Sequence, residues 1–220
     1  MSVQSEGQGR PPWLTKVLAD PTALLLQELQ EGVVGEESRL PALADACAAV
    51  GLLDQAALLA MAARRAGVQV IHCTAESMPG DFGANHNARL FAAARRAGMD
   101  MQRSTGSARP VSVLGPAPED LVVPRYHGLS PLNGSSLQQL LRNAGIGTIV
   151  VAGVSLNVAI PNLVFDAVNA GFQVVVVRDA VAATPIEYGT AVLENSLALV
   201  ATLAETDDVV SAWAASSTSP

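Results

Sequence analysis

The chain has 220 residues, a formal net charge of −7, and a composition that is 50% hydrophobic and 15% charged. The apolar content excludes a disordered chain, and the length predicts one domain with a sizeable core, or at most two small ones. The negative charge and the scattered arginines argue against a nucleic-acid partner. Because no apolar run approaches ~18–20 residues and the N-terminus lacks secretory-signal features, we expect a cytoplasmic protein without a membrane partner.

The two ends of the chain differ in composition from the rest. Residues 1–20 are polar and predict an N-terminal arm, with Trp13 and Leu14 as its contacts to the body or to a neighbouring subunit. Residues 214–220 (AASSTSP) predict a flexible tail. The single domain is therefore predicted to span residues 21–213.

Strand and helix patterns alternate through the first half of this domain. The first strand is predicted at residues 22–30 (TALLLQELQ), where four consecutive apolar residues are typical of a central strand covered on both faces. A loop is predicted at 32–38. Helical spacing follows over 40–67, with a break or bend at Gly51, and a second strand is predicted at 68–73.

The alternation continues to the C-terminal end of the domain. The remaining predicted elements are a helix at 87–98, an irregular segment at 99–118, a strand at 121–123, a helix at 135–143, a strand at 149–152 closed by Gly153, a strand at 172–177, a helix from the capping residue Thr184 to about Leu203, and an edge strand within 207–213. Such alternation predicts an α/β fold with a single doubly wound, mostly parallel sheet and helices on both faces.

The stretch at residues 148–166 (TIVVAGVSLNVAIPNLVFD) predicts a buried strand, a tight turn and an amphipathic helix. Open α/β folds bind ligands at the carboxyl edge of the sheet, where this turn is expected to lie. The free N–H groups and the positive dipole end of the helix point to the same place. This turn is therefore the predicted site. No G-x-G-x-x-G or P-loop sequence follows a strand, so no nucleotide cofactor is expected.

The two cysteines show neither a CxxC pair nor a metal-binding spacing, so both are expected to be reduced thiols. Cys47 falls in an apolar helical pattern and is predicted to be a core residue. Cys73 ends a strand next to the predicted site and is either a thiol that approaches this site or a small buried side chain.

Four segments resemble the isochorismatase-like hydrolase superfamily, which includes cysteine amidases such as nicotinamidase. They are residues 22–30, where the superfamily strand usually ends in Asp-x-Gln, residues 121–154, residues 153–180, and the closing segment TDDVVSAW. The resemblance covers residues 22–213. It implies a six-stranded parallel sheet flanked by helices, assembled into homodimers or larger homo-oligomers.

The chain departs from this superfamily at all three members of the usual catalytic triad. Glu28 stands at the position of the catalytic Asp, Arg125 is the best candidate for the position of the catalytic Lys, and Ala159 replaces the nucleophilic Cys. An alanine has no lone pair and cannot form the acyl intermediate of the amidases. Superfamily amidases that bind metal use clustered Asp and His ligands, and because His72 has no Asp-x-His partner, no metal is expected.

Isochorismatases proper resemble this chain in having a small residue at the cysteine position, and they cleave a vinyl ether. The resemblance implies Glu28 as the acid or base, acting as an acid if burial keeps it protonated. Arg125 grips a substrate carboxylate, pairs with Glu28 or simply holds the loop that follows it. The leading hypothesis is a thiol-independent hydrolase of a small carboxylated vinyl ether, ester or amide. The alternative is a catalytically silent member that binds a small ligand or serves as an assembly subunit.

The predicted substrate-binding residues are Val154, Ser155, Asn157 and His127. The resemblance bears on the backbone of the turn. It implies a cis peptide bond between Val154 and Ser155, with the amides of Ser155 and Ala159 forming an oxyanion hole. Asn157 either caps the helix or faces the pocket. His127 follows Arg125 by two residues and either reaches the pocket or remains a loop residue.

Overall fold

The computed structural model describes residues 12–216 of the chain. Within them, one sheet contains β1 (Thr22–Gln27), β2 (Gln69–Ala75), β3 (Leu121–Arg125), β4 (Thr148–Val154), β5 (Gln173–Ala182) and β6 (Thr202–Ala204). The strand order is β3-β2-β1-β4-β5-β6, and every neighbouring pair is parallel. This confirms the predicted α/β fold with a six-stranded parallel sheet.

Helices cover both faces of the sheet. Within the described residues they are α1 (Pro12–Val17), α2 (Glu31–Val34), α3 (Pro41–Ala49), α4 (Leu52–Arg65), α5 (Arg89–Arg96), α6 (Leu137–Asn143), α7 (Ala159–Asn169), α8 (Ile186–Asn195) and α9 (Thr206–Ser216). One core contains apolar residues of α1, α3, α4 and α9, and the other contains those of α6, α7 and α8. The sheet is therefore doubly wound, as predicted.

Strand β1 divides these two cores. Its six residues are all buried, and successive side chains of a strand point to opposite faces. Accordingly Leu24 and Leu26 pack into the first core and Leu25 into the second. The predicted extension of this strand to Gln30 is wrong, because Glu28 takes a left-handed conformation (φ 54°) that turns the chain out of the sheet.

One predicted loop and one predicted strand boundary differ from the structure. The predicted loop at 32–38 begins inside the short helix α2. Strand β3 continues through Arg125 instead of ending at residue 123, because Cys73, Thr74 and Ala75 of β2 pair with its last three residues. Arg125 therefore belongs to the sheet, where its backbone position is fixed.

The order of the last two elements differs from the prediction. Helix α8 ends at Asn195 rather than near Leu203, and the edge strand is β6. The residues predicted as the edge strand, 207–213, lie in α9. Their buried side chains explain the difference: Val209, Ala212 and Trp213 follow the three- and four-residue spacing of a helix.

The start of α8 also differs from its predicted form. Pro185 occupies the N-cap position, and no side chain caps this helix, so the prediction of Thr184 as the cap is wrong. The peptide bond between Thr184 and Pro185 is cis. The side chain that Thr184 contacts across the turn belongs to Asn157, described below.

The ends of the described region extend the domain. Part of the predicted arm forms α1, where Leu14 is buried and Trp13 is 46% exposed. Residues 214–216 of the predicted tail continue α9, and residues 1–11 and 217–220 lie outside the described residues. Within residues 12–216 no single helix has the length and apolar character to span a membrane. Helices α3 and α4 have that length and composition only when taken together, and their axes are bent by 68°.

Candidate active site

The structure brings Glu28 and Arg125 into direct contact at the carboxyl edge of the sheet. Nη2 of Arg125 donates to Oε1 of Glu28, and the two side chains are 12% and 15% exposed. The amide of Gln27 donates to the same Oε1 atom at 2.8 Å. In the part of the chain that the structure describes, Oε2 of Glu28 accepts no hydrogen bond. One carboxylate oxygen is thus fixed and the other is available.

The backbone of Glu28 helps to fix this position. Its φ of 54° is uncommon for a residue other than glycine and places it in a region where strain at functional sites is often found. Its N–H donates to the carbonyl of Cys73 at 2.8 Å, which ties the end of β1 to β2. The strand end and the hydrogen bond together direct the carboxylate toward β3.

The guanidinium of Arg125 is already engaged on both of its terminal nitrogens. Nη1 donates to the carbonyl of Gly128, and Nη2 donates to Glu28. The Gly128 N–H in turn donates to Oδ1 of Asn85 at 2.6 Å, which links the segment after β3 to the segment before α5. Nε of Arg125 and Oε1 of Gln27 are buried without a partner in the described residues.

The turn after β4 has the backbone geometry that the resemblance implies. The Val154–Ser155 peptide bond is cis. The carbonyl of Ser155 accepts the N–H groups of Val158 and Ile160 at 3.2 and 3.0 Å. Ala159 is the first residue of α7, and its N–H has no acceptor among the described residues, as expected in the first turn of a helix.

Asn157 holds this turn against the chain that precedes α8. Its Nδ2 donates to the carbonyl of Thr184 at 2.9 Å, and its Oδ1 accepts the Thr184 N–H at 3.0 Å. It does not cap α7, whose N-cap residue is Val158 and which has no side-chain cap. The capping alternative is therefore wrong, and the pairing with Thr184 gives Asn157 a positioning role.

A cavity of about 450 Å³ opens beside these groups. Its polar and charged lining comes from Glu28, Arg39, Arg125, Ser155, Asn157 and Thr184, and Ala159 lies in its wall. The rest of the lining is mainly apolar and includes Leu40, Leu43, Leu90, Phe91, Leu129 and Val158. Val154 is fully buried in β4 and does not line this cavity.

A second cavity of about 360 Å³ adjoins the first. The two share Glu28 and Arg125, and they also share Leu90 and Phe91 of α5. His127 lines this second cavity and not the first. The Glu28–Arg125 pair therefore lies at the boundary between the two cavities.

The thiols do not line either cavity. Cys73 is 2% exposed, and burial raises the pKa of its thiol to about 12. Cys47 is 1% exposed, as predicted for a core residue, and burial raises its thiol pKa to about 12 as well. Both are free cysteines. No group of three His, Cys, Asp or Glu side chains within residues 12–216 is arranged to hold a metal ion.

The sequence interpretation missed Arg39, which lines the first cavity. A signal was present, since Arg39 is the only Lys or Arg between residues 21 and 63. It also directly precedes the Leu40-Pro41 start of α3, where a polar side chain borders an apolar helix. The pattern alone did not show that this helix begins beside the carboxyl edge of the sheet.

Comparison with known proteins bears on the fold and on the family of the chain. The sequence matches the isochorismatase domain over residues 22–208. A cysteine hydrolase from Pseudomonas syringae pv. phaseolicola is 20% identical over 89% of this chain and 93% of that chain, with a TM-score of 0.76. An isochorismatase family protein from Desulfovibrio vulgaris is 25% identical over 87% of this chain and 99% of that one, with a TM-score of 0.73.

An N-carbamoylsarcosine amidase from Thermoplasma acidophilum has the same fold, with 21% identity, 84% of this chain and 96% of that chain covered, and a TM-score of 0.66. No curated protein sequence matches the chain significantly. The domain match runs from the first residue of β1 into α9 and includes every strand of the sheet. The chain therefore belongs to the isochorismatase family, within the isochorismatase-like hydrolase superfamily.

Proposed function

We propose that this protein hydrolyses a small carboxylated ester or amide without a cysteine nucleophile, with Glu28 as the general base. The observation that carries the proposal is the asymmetric environment of the Glu28 carboxylate. Oε1 is held by Gln27 and Arg125, whereas Oε2 has no partner in the described residues, and Glu28 lines a cavity that Ala159 also lines. Two proteins with the same fold support a hydrolase of this kind, since one is a cysteine hydrolase and the other is an N-carbamoylsarcosine amidase.

The contact with Arg125 favours a base over an acid. A guanidinium that touches a carboxyl group stabilises its ionised form. Cleavage of a vinyl ether begins with transfer of a proton to carbon, which requires a protonated acid. Hydrolysis of an ester or amide begins with removal of a proton from water, which an ionised Glu28 can perform. Among the three substrate types, the geometry therefore supports the ester or amide.

In this mechanism Oε2 of Glu28 takes a proton from a water molecule as the water oxygen bonds to the substrate carbonyl carbon. The carbonyl oxygen becomes an oxyanion, which the N–H groups of Ala159 and Ser155 stabilise. Glu28 then returns the proton to the leaving oxygen or nitrogen as the tetrahedral intermediate collapses. Arg125 keeps the carboxylate in place and balances its charge.

Two further observations support a site of this kind. Oε1 of Gln27 and Nε of Arg125 are buried beside the carboxylate without partners in the described residues. Buried polar atoms are normally hydrogen-bonded, so two of them without partners mark a polar cluster whose hydrogen bonding is incomplete, as is common at functional sites. In addition, a thiol with a pKa near 12 that lines neither cavity is poorly suited to attack a substrate.

The test is hydrolysis of matched chromogenic substrates by the wild-type protein and by Glu28→Gln. Suitable substrates are p-nitrophenyl hemisuccinate and the corresponding succinic p-nitroanilide. Because glutamine has a similar shape and no basic oxygen, we expect kcat/KM to fall by about 10²–10⁴-fold. Glu36→Gln, at an exposed loop position, is the matched control and should retain wild-type activity. Unchanged activity in Glu28→Gln would remove Glu28 from the mechanism.

A second pair of variants tests independence from thiols. Cys73→Ala and Cys47→Ala remove the two buried sulfurs, and both should keep kcat/KM within about twofold once folding is confirmed by circular dichroism. Loss of turnover in Cys73→Ala alone would contradict the thiol-independent mechanism. If the wild-type protein turns over no ester, amide or vinyl ether, the catalytically silent alternative is favoured instead.

A further inference from the structure

The charges of the side chains that line the first cavity sum to a net positive charge. Glu28 and Arg125 form an ion pair with no net charge, and Arg39 contributes the remaining positive charge. Among residues 12–216, no other Asp, Glu, Lys, Arg or His lines this cavity. A mainly apolar cavity with one uncompensated cation is suited to an organic anion that has an apolar body.

Arg125 is poorly placed to bind that anion. Both of its terminal nitrogens already donate, to Glu28 and to the carbonyl of Gly128. An anionic substrate group bound to Arg125 would also lie against the carboxylate of Glu28, and like charges at close range repel. The alternative in which Arg125 pairs with Glu28 therefore describes the structure better than the one in which it grips the substrate.

Arg39, unlike Arg125, has a guanidinium that is free to bind an anion in the cavity. Its side chain is exposed at the cavity, and it makes no hydrogen bond or ion pair with any residue from 12 to 216. Its backbone N–H donates to the carbonyl of Gly32 at 3.3 Å. The hydroxyl of the preceding Ser38 donates to the carbonyl of Val33 at 2.6 Å and accepts the N–H of Leu40 at 3.0 Å. The guanidinium is thus free while its attachment to the fold is fixed.

We infer that Arg39 is the residue that binds the substrate carboxylate and sets the specificity of the site for anions. This inference rests on the proposed function and adds the residue that selects the substrate class. A guanidinium binds a carboxylate through two parallel hydrogen bonds, which gives directional recognition that a neutral side chain lacks. Leu40 and Leu43, which follow Arg39 along the cavity wall, supply apolar contacts for the body of the same ligand.

Binding is measured by calorimetry with 4-phenylbutyrate and its neutral isostere 4-phenylbutanamide, so that no turnover is needed. We expect the wild-type protein to bind the acid at least tenfold more tightly than the amide. Arg39→Gln should weaken acid binding about tenfold and leave amide binding unchanged. Arg39→Lys should keep part of the preference. Arg96→Gln, at an exposed position that lines neither cavity, should behave as wild type.

Three results would overturn the inference: no acid preference in the wild-type protein, an acid preference that survives in Arg39→Gln, or equal weakening of both ligands in a variant whose circular dichroism is that of wild type. Different results would overturn the proposed function, namely unchanged hydrolysis by Glu28→Gln or no hydrolysis by the wild-type protein. An acid preference that requires Arg39 in a protein without turnover would support the inference and reject the hydrolase.

Discussion

Position 153 requires glycine because β1 and β4 approach each other closely beside the site. Gly153 has a φ of 120°, and a Cβ atom there would lie 2.2 Å from the carbonyl oxygen of Gln27 and 2.8 Å from its nitrogen. Both are backbone atoms of the central strand and cannot move aside cheaply. Glu28, which follows Gln27, begins one turn of the candidate site, and Val154, which follows Gly153, begins the other.

Gly153→Ala should therefore destabilise the protein by about 3–5 kcal/mol, as a clash with fixed backbone is added to an unfavourable φ. Gly145→Ala is the matched control, since Gly145 also has a positive φ (72°) but a Cβ atom there would meet open space. We expect it to cost only about 1–2 kcal/mol. Urea unfolding of both variants measures the difference, and equal losses would contradict the contact with Gln27.

The resemblance to the superfamily identified the positions of Glu28, Arg125 and Ala159 from the sequence, and the structure places them at the ends of β1 and β3 and at the start of α7. The structure brings all three to one cavity. It could not be predicted from pattern that Arg39 reaches the same cavity. The course of the loop before α3 depends on the hydrogen bonds of Ser38, and such tertiary contacts leave no periodic signal.

At the scale of elements, Gln30 joins three segments of chain that the strand pattern does not connect. Its side chain is fully buried. Oε1 accepts the N–H of Ala75 at 2.7 Å, and Nε2 donates to the carbonyls of Ala75 and Ser107 at 2.9 and 3.2 Å. The side chain thereby continues the pairing of β1 with β2 beyond the point where Glu28 leaves the sheet.

Gln30→Leu keeps the approximate volume of the side chain and removes its hydrogen bonds. It should lower the free energy of unfolding by about 2–4 kcal/mol, because the buried N–H and carbonyl groups of Ala75 lose their partner. Gln139→Leu, at an exposed position of α6, is the matched control and should change stability by less than about 0.5 kcal/mol. A small effect at both positions in thermal or urea unfolding would show that Gln30 does not join these segments.

Elements near the centre of the sheet were easier to predict than those at its edge. The buried strands β1, β4 and β5 have continuous apolar sequences that identify them without tertiary information. The edge strand β6 has only three residues, too few to show a period. The segment 207–213 combines valines with a helical pattern of burial, and its packing against α4 outweighs the strand preference of valine.

At the scale of the whole molecule, the alternation of elements predicts the sheet, but it does not reveal how the β2–β3 edge is joined to α4. That junction is a buried ionic cluster. Arg64 of α4 donates to Asp120 at 3.1 and 2.7 Å, and the Nε2 atom of His72 in β2 lies 3.0 Å from the same carboxylate. The three residues are separated by up to 56 positions in sequence, so spacing gives no sign of their contact.

The cluster should make the stability of the protein fall in mild acid. Burial lowers the pKa of His72 below its usual 6.5, although the contact with Asp120 acts in the opposite direction. His72 therefore binds a proton less readily in the folded protein than in the unfolded chain. The unfolded state therefore binds more protons below pH 6.5, and stability must decrease as the pH falls through that value, by at most about 1.4 kcal/mol per pH unit. Asp120 affects the stability at lower pH than His72 does. Burial alone would raise its pKa, but hydrogen bonds from Arg64, Ala117 and His72 hold that pKa below 3.8.

His72→Gln replaces the ring with a neutral amide that can still donate to Asp120 and does not titrate. Between pH 7 and pH 5 this variant should lose less stability than the wild-type protein, by about 1–2 kcal/mol, because its unfolded state no longer gains the extra proton. His86→Gln, at an exposed position, should retain the wild-type dependence. Urea unfolding at half-unit pH steps measures the three curves. Parallel curves for the wild-type protein and His72→Gln would mean that His72 takes up its proton in the folded state as readily as in the unfolded chain, and the acid sensitivity would then have to come from the carboxylates.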